Sequence, residues 1–202
     1  MPETIRCFLA VETSEAVRRS LEELVTRLDL PHFHVRWVQP KNMHLTLRFL
    51  GDITERDVFE VSRAAHEAVI DVPPFRVRFR GLGTFPPAGN PRVVWMGLED
   101  ERPVVRLERE VSRRLSGSGL PSPDKPFRAH LTLGRVKSQR GIQELKKHLE
   151  RNRAVETEEM AVERISLVRS VLRPSGPLHT VLDRFELGGG RTGPTAQQER
   201  EP

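Results

Sequence analysis

One tetrapeptide, His-Leu-Thr-Leu, occurs twice in the chain, at 44–47 and at 130–133, 86 residues apart. Each copy is followed by a stretch with helical apolar spacing, so the repeat points to two related halves. Side chains alternate along a strand, which puts His44 and Thr46 on one face and Leu45 and Leu47 on the other. His130 and Thr132 repeat the arrangement over Leu131 and Leu133. Each copy reads as a strand with an apolar back and a face showing one imidazole and one hydroxyl.

Short strands and helices fill the rest of the chain. Residues 5–11 (IRCFLAV) read as a buried strand. A helix follows, with Thr13 or Ser14 as N-cap and Val17, Leu21, Leu24, Val25 and Leu28 on one face, and Pro31 stops it. Residues 35–50 read as extended, interrupted at Pro40. A second helix starts at Thr54, with Asp57 placed as in a capping box. In 75–80, Phe75, Val77 and Phe79 alternate with Arg76, Arg78 and Arg80, a half-buried strand with a basic outer face. That face either tracks RNA phosphates or is solvated, since alternation does not say which way it looks. Residues 81–92 read as a loop, 93–98 as a strand, and a third helix runs from about Pro103 through Leu115 to Gly117. A second loop covers 116–126. It leads into a strand over 128–135, a helix near 139–149 and strands near 163–172 and 179–187. Turn signals between strands predict antiparallel pairing and an α+β class. Residues 1–187 read as a single domain, and 188–202 as a disordered tail without apolar spacing.

Composition excludes several classes. Hydrophobic residues make up 37% and charged residues 30%, enough apolar content for a packed core. Apolar runs such as Cys7–Val11 are far below the roughly 20 residues needed to cross a bilayer. The first residues carry acids and lack a long apolar region, unlike a secretory signal. A single cysteine, Cys7, forms no internal disulfide or zinc-thiolate cluster. The expectation is a soluble cytoplasmic protein with no membrane contact and no obligate protein partner. The net charge is +5, and only five of the 33 basic residues are lysines. Arginine forks suit phosphate oxygens, so acidic partners are permitted.

The paired His-x-Thr faces suit phosphoryl chemistry without a metal or other cofactor. Imidazole titrates near neutral pH, so one histidine can accept a proton while the other donates one. A threonine hydroxyl can donate to a non-bridging phosphoryl oxygen and hold it in place. Two such strands across a cleft would supply a base, an acid and two donors around one phosphorus atom.

The stretch Val35-Arg-Trp-Val-Gln-Pro-Lys-Asn-Met-His-Leu-Thr-Leu-Arg-Phe-Leu-Gly51, with Pro126-Phe-Arg-Ala-His-Leu-Thr-Leu-Gly-Arg135, closely resembles the two-histidine phosphoesterases. Within them it is similar to the bacterial and archaeal RNA 2′,3′-cyclic phosphodiesterases, historically called 2′-5′ RNA ligases. Arg6–Val11, Gly81–Pro86, Pro91–Trp95 and Leu167–Ser170 extend the likeness over about residues 5–187. The resemblance implies a bilobal α+β fold, in which two antiparallel sheets backed by helices face each other across a central groove with pseudo-twofold symmetry. It implies hydrolysis of RNA 2′,3′-cyclic phosphate ends to 2′-phosphomonoesters, with 2′-5′ ligation as a side reaction. By the same likeness His44 is the proton donor and His130 the proton acceptor. Thr46 and Thr132 hold phosphoryl oxygens, and Arg135 binds substrate. Strict alternation instead favours Arg128 and Arg48 as cleft residues and puts Arg135 on the back, unless Gly134 marks a bulge.

The chain departs from its relatives at Ala129, where they often have proline, and at His179 in Gly176-Pro-Leu-His, where they often have an aromatic residue. His179 either lines the groove or simply sits on a strand, the strand reading being favoured, and Trp37 is read as a core residue rather than a base-stacking one. His32 and His34 have metal-like spacing but no local carboxylate or thiol to complete a site. Two other readings stay open. One is a related phosphodiesterase acting on 2′-5′ oligonucleotides or small cyclic nucleotides, and the other is an RNA-binding module without turnover.

Overall fold

Capping groups fix where the helices begin. In a computed structural model, described over residues 3–120, 123, 125–174 and 176–188, Ser14 Oγ accepts from the Val17 amide and opens α1 (Glu15–Leu28). Thr54 and Asp57 exchange hydrogen bonds in a full capping box at the start of α2 (Glu55–Val69). Pro103 sits in the first turn of α3 (Arg102–Leu115), and α4 covers Ile142–Arg151. The strands are β1 (Thr4–Glu12), β2 (Val35–Trp37), β3 (His44–Thr54), β4 (Phe75–Phe85), β5 (Val93–Leu98), β6 (Leu131–Val136), β7 (Glu156–Val162), β8 (Arg164–Arg173) and β9 (Gly176–Glu186). A 3-10 turn at Pro40–Asn42 produces the expected break between β2 and β3.

All the strand pairs are antiparallel, in the order β7-β4-β5-β6-β3-β1-β8-β9, with β2 added beside β6. The two expected sheets are the two halves of this curled array, joined where Leu45 of β3 lies opposite Leu131 of β6. Helices α1 and α4 pack on the half that holds β7 and β4, and α2 and α3 on the half that holds β3 and β9. The leucine backs of both motifs are buried among the apolar faces of these helices. Removing such side chains from water is the main favourable term in folding. Trp37 packs against this core with its indole N–H on Asp29 at 2.8 Å, as expected.

Two strand readings need correction. β4 continues through Gly81–Phe85, which composition marked as loop. A register shift between Phe79 and Leu82 absorbs the left-handed Gly81, and Gly83, Thr84 and Phe85 then pair with Trp95, Val94 and Val93. β7 is so rich in glutamate that it has little apolar pattern of its own, yet it pairs along β4. Its acids neutralise the basic face of β4. Arg76 pairs with Glu159 and Arg78 with Glu156 (3.4 Å), while Arg80 pairs with Glu99 (3.1 Å). This face is therefore a cross-strand ion-pair ladder. The expected tail, 188–202, falls outside the described residues except for Gly188, which closes a turn.

A bulge interrupts each motif at its second leucine. Ala10 pairs with Thr46 and Leu9 with Arg48, leaving Leu47 without a partner on β1. Trp95 pairs with Thr132 and Val94 with Gly134, leaving Leu133 as the extra residue. An extra residue reverses the alternation beyond it. Arg48 consequently turns to the helix side, where it is buried, donates to Ser112 of α3 at 3.4 Å and lies near buried Glu108. Arg48 nevertheless also borders the cleft lined by Thr46 and His130, where alternation expects it. Ser112 in turn donates to Glu108 at 2.6 Å. Truncating one member of a buried charge pair strands the other, so Arg48→Ala is expected to cost about 3 kcal/mol. Urea denaturation should show a lower midpoint with an unchanged slope.

Candidate active site

The two histidines are held in the same way. His44 Nδ1 is 2.8 Å from the carbonyl of Asn42, and His130 Nδ1 is 2.7 Å from the carbonyl of Arg128, each two residues upstream. A carbonyl only accepts, so each Nδ1 carries the hydrogen and each Nε2 is left for chemistry. For His44 the carbonyl comes from the 3-10 turn at Pro40–Asn42, so the break before β3 also sets the tautomer. Extending the Leu45–Leu131 register by one residue sets His44 opposite Thr132 and Thr46 opposite His130, all on the face away from the leucines. Directly opposed side chains have Cβ atoms about 4.5–5.5 Å apart. Thr46 and His130 line one cleft.

The walls differ. His44 stacks on Phe8, with centroids 4.5 Å apart and planes at 17°, and meets His179 edge-on at 5.3 Å. His130 meets Phe85 edge-on at 4.9 Å, and Phe85 stacks on Trp95 at 5.1 Å. The Trp95 indole lies across Gly83 so closely that a Cβ there would fall 2.3 Å from it. His179, on β9, therefore sits beside His44, in line with the groove alternative. Its place after Gly176-Pro-Leu, where relatives often have an aromatic, was the only signal.

The bulges sort the remaining candidates. Beyond Leu133, Gly134 points inward with Val94, and Arg135 shares the face of Thr132, Trp95 and Val93. Gly134 thus gives Arg135 the outward orientation that the likeness implies, while Arg48 and Arg128 line the cleft itself. Arg128 is exposed, with its guanidinium 6.0 Å from the Phe85 ring centre. The matching bulge in β3 exposes Phe49 (69%) beside Phe8, an aromatic surface that alternation had assigned to the interior. A cleft of about 1250 Å³ opens along Thr46, Phe49, Phe85, Arg128 and His130. Among the described residues no three potential metal-binding side chains cluster, and His32 lies edge-on to Phe33 at 4.2 Å.

Burial pushes the His44 imidazole down to about 4; the hydrogen bond to Asn42 opposes this and the neighbouring His179 adds to it. Burial also lowers His179. His44 of the protein alone is therefore neutral at neutral pH. An anion beside it favours the imidazolium, because an opposite charge at close range stabilises the charged form.

The LigT like Phosphoesterase family matches residues 11–95 and 97–179, and each His-Leu-Thr-Leu begins 33 residues after the start of its match. The chain belongs to this family of phosphoesterases. A relative from Aquifex aeolicus, named RNA 2′,3′-cyclic phosphodiesterase, is 38% identical over 92% of this chain and 98% of its own length. A crystal structure of a Thermus thermophilus protein is 34% identical and covers 93% of this chain and 100% of that one, with a TM-score of 0.78. E. coli LigT in complex with 3′-AMP is 24% identical over 92% of this chain and 99% of that one, at a TM-score of 0.74, and shares the fold. No helix among the described residues is long and apolar enough to cross a membrane.

Two outcomes follow from this geometry. Because the folded state holds His44 below its unfolded value, stability should fall as pH drops from 6.5 towards 4, where only the unfolded chain binds the proton. Acid denaturation of His44→Gln should show a shallower loss over that window. Gly83→Ala should push Trp95 against Phe85 and His130, read as a change in tryptophan fluorescence together with a lower kcat.

Proposed function

We propose that the chain hydrolyses RNA 2′,3′-cyclic phosphate ends to 2′-phosphomonoesters. The reading is carried by one observation: two imidazoles, each tied through Nδ1 to a carbonyl two residues upstream, on a sheet face shared with two threonine hydroxyls. The name of the Aquifex relative supports the substrate class. Thr46 and Thr132 donate to the non-bridging oxygens. His130 Nε2 takes a proton from water as its oxygen attacks phosphorus. The bond from phosphorus to O3′ breaks, and His44 Nε2–H protonates the departing oxygen, leaving the phosphate on O2′. The substrate's own negative charge draws His44 into the protonated state that this step needs. Phe49 offers a stacking surface for a base, and Arg128 and Arg135 add positive charge. If an RNA 5′-hydroxyl replaced water, the same geometry would give a 2′-5′ linkage. Water is always present and a second RNA end must be oriented, so hydrolysis is the main reaction.

His44→Ala and His130→Ala should each lower kcat by about 10²–10⁴, the range for loss of a general acid or base. The assay is release of product from a defined cyclic-ended oligonucleotide, followed by identification of the hydroxyl that keeps the phosphate. A 3′-phosphate product, or full activity in both variants, would overturn the mechanism. Chelator should leave the rate unchanged. Phe49→Ala should raise KM about tenfold or more, since base stacking on an aromatic contributes about 1–3 kcal/mol.

A further inference from the structure

Arg36 of β2 lies directly opposite Arg135 of β6 in the antiparallel register. Their neighbours Val35, Trp37 and Gly134 face the core, so the two arginines share the outer face that carries Thr132, Trp95 and Val93. Like charges directly opposed on adjacent strands are destabilising. On the β4 strand, by contrast, neighbouring arginines are matched with acids, as at Arg76, Arg78 and Arg80. Among the described residues, neither Arg36 nor Arg135 has a carboxylate within ion-pairing distance. Arg36 is held in place all the same. One of its Nη atoms donates to the Pro174 carbonyl at 3.1 Å, and Asn42 donates to the Pro177 carbonyl at 3.0 Å, so the β8–β9 turn is fastened beside it. The fork keeps other N–H groups for a ligand. Because of the bulge at Leu133, Arg135 lies only two pairing steps from Thr132 (Trp95 to Val93 on β5), roughly 7 Å at ordinary strand rise. One nucleotide step in an extended RNA covers a comparable length.

We propose that Arg36 and Arg135 form a second phosphate subsite that takes the 5′-phosphodiester of the terminal nucleotide. The preferred substrate is therefore an oligonucleotide rather than a free cyclic mononucleotide. This inference rests on the cyclic phosphodiesterase reading and adds a length requirement to it. Two planar guanidiniums facing one another can grip a single phosphate from both sides with charge-assisted hydrogen bonds.

The test uses two ribodinucleotides ending in a 2′,3′-cyclic phosphate, identical except that one has an uncharged methylphosphonate in place of the bridging phosphate. The wild-type chain should turn over the charged one with a kcat/KM about tenfold higher or more, as expected for a charge-assisted hydrogen bond. In Arg36→Gln that ratio should fall below about threefold, and Arg36→Lys should retain part of it. Comparing two substrates within one variant cancels any general loss from releasing the Pro174 carbonyl. A wild-type ratio near one, or an undiminished ratio in Arg36→Gln, would overturn the subsite. Failure of the wild type to hydrolyse either compound would overturn the activity reading instead. The subsite is then judged by calorimetry with the 2′-phosphorylated dinucleotide and its methylphosphonate counterpart. Binding that loses its preference for the charged compound in Arg36→Gln supports the subsite, and equal binding of the two by the wild type overturns it.

Discussion

The contact between Leu45 and Leu131 organises the molecule. These leucines are the apolar backs of the two His-Leu-Thr-Leu strands, and their antiparallel pairing joins the two halves of the sheet. Because strand side chains alternate, pairing the leucines obliges the flanking histidines and threonines to meet on the opposite face. The hydrophobic interior and the polar site are thus two sides of one event. A shift of the register by one residue would bury the imidazoles and expose the leucines.

The bulge at the second leucine of each motif adds a further layer of control. In one copy it directs Arg48 inward to α3 and leaves Phe49 exposed, and in the other it hides Gly134 and presents Arg135. Equivalent positions therefore offer an aromatic ring on one side and a cation on the other. The histidine walls are unlike as well, with Phe8 and His179 around His44, and Phe85 and Trp95 around His130. Two copies of one tetrapeptide thus have unlike surroundings.

Charge is distributed unevenly between the faces. The ladder between β4 and β7 balances arginine against glutamate, so an arginine-rich composition does not by itself mark an RNA surface. At the site face the balance is different, and Arg36 and Arg135 stand opposite one another. The low basicity of His44 has a related origin: burial against Phe8 penalises the imidazolium until an anion arrives.

Much of this could be read along the chain, because it depends on near neighbours. The caps at Ser14 and Thr54, the alternation in each His-x-Thr strand and the break at Pro40 are local, and they yielded the α+β class and the four central residues. The likeness to the phosphoesterases added Arg135, which alternation had placed on the wrong face. What distant segments decide together was hidden. β7 gained its strand character from the arginines of β4, and Arg48 reached Ser112 through a bulge defined only against β1. His179 came to His44 from the far end of the chain, and Arg36 met Arg135 across a strand pair. Such groupings depend on register between strands far apart in the chain, and register is set by the packing of the whole core.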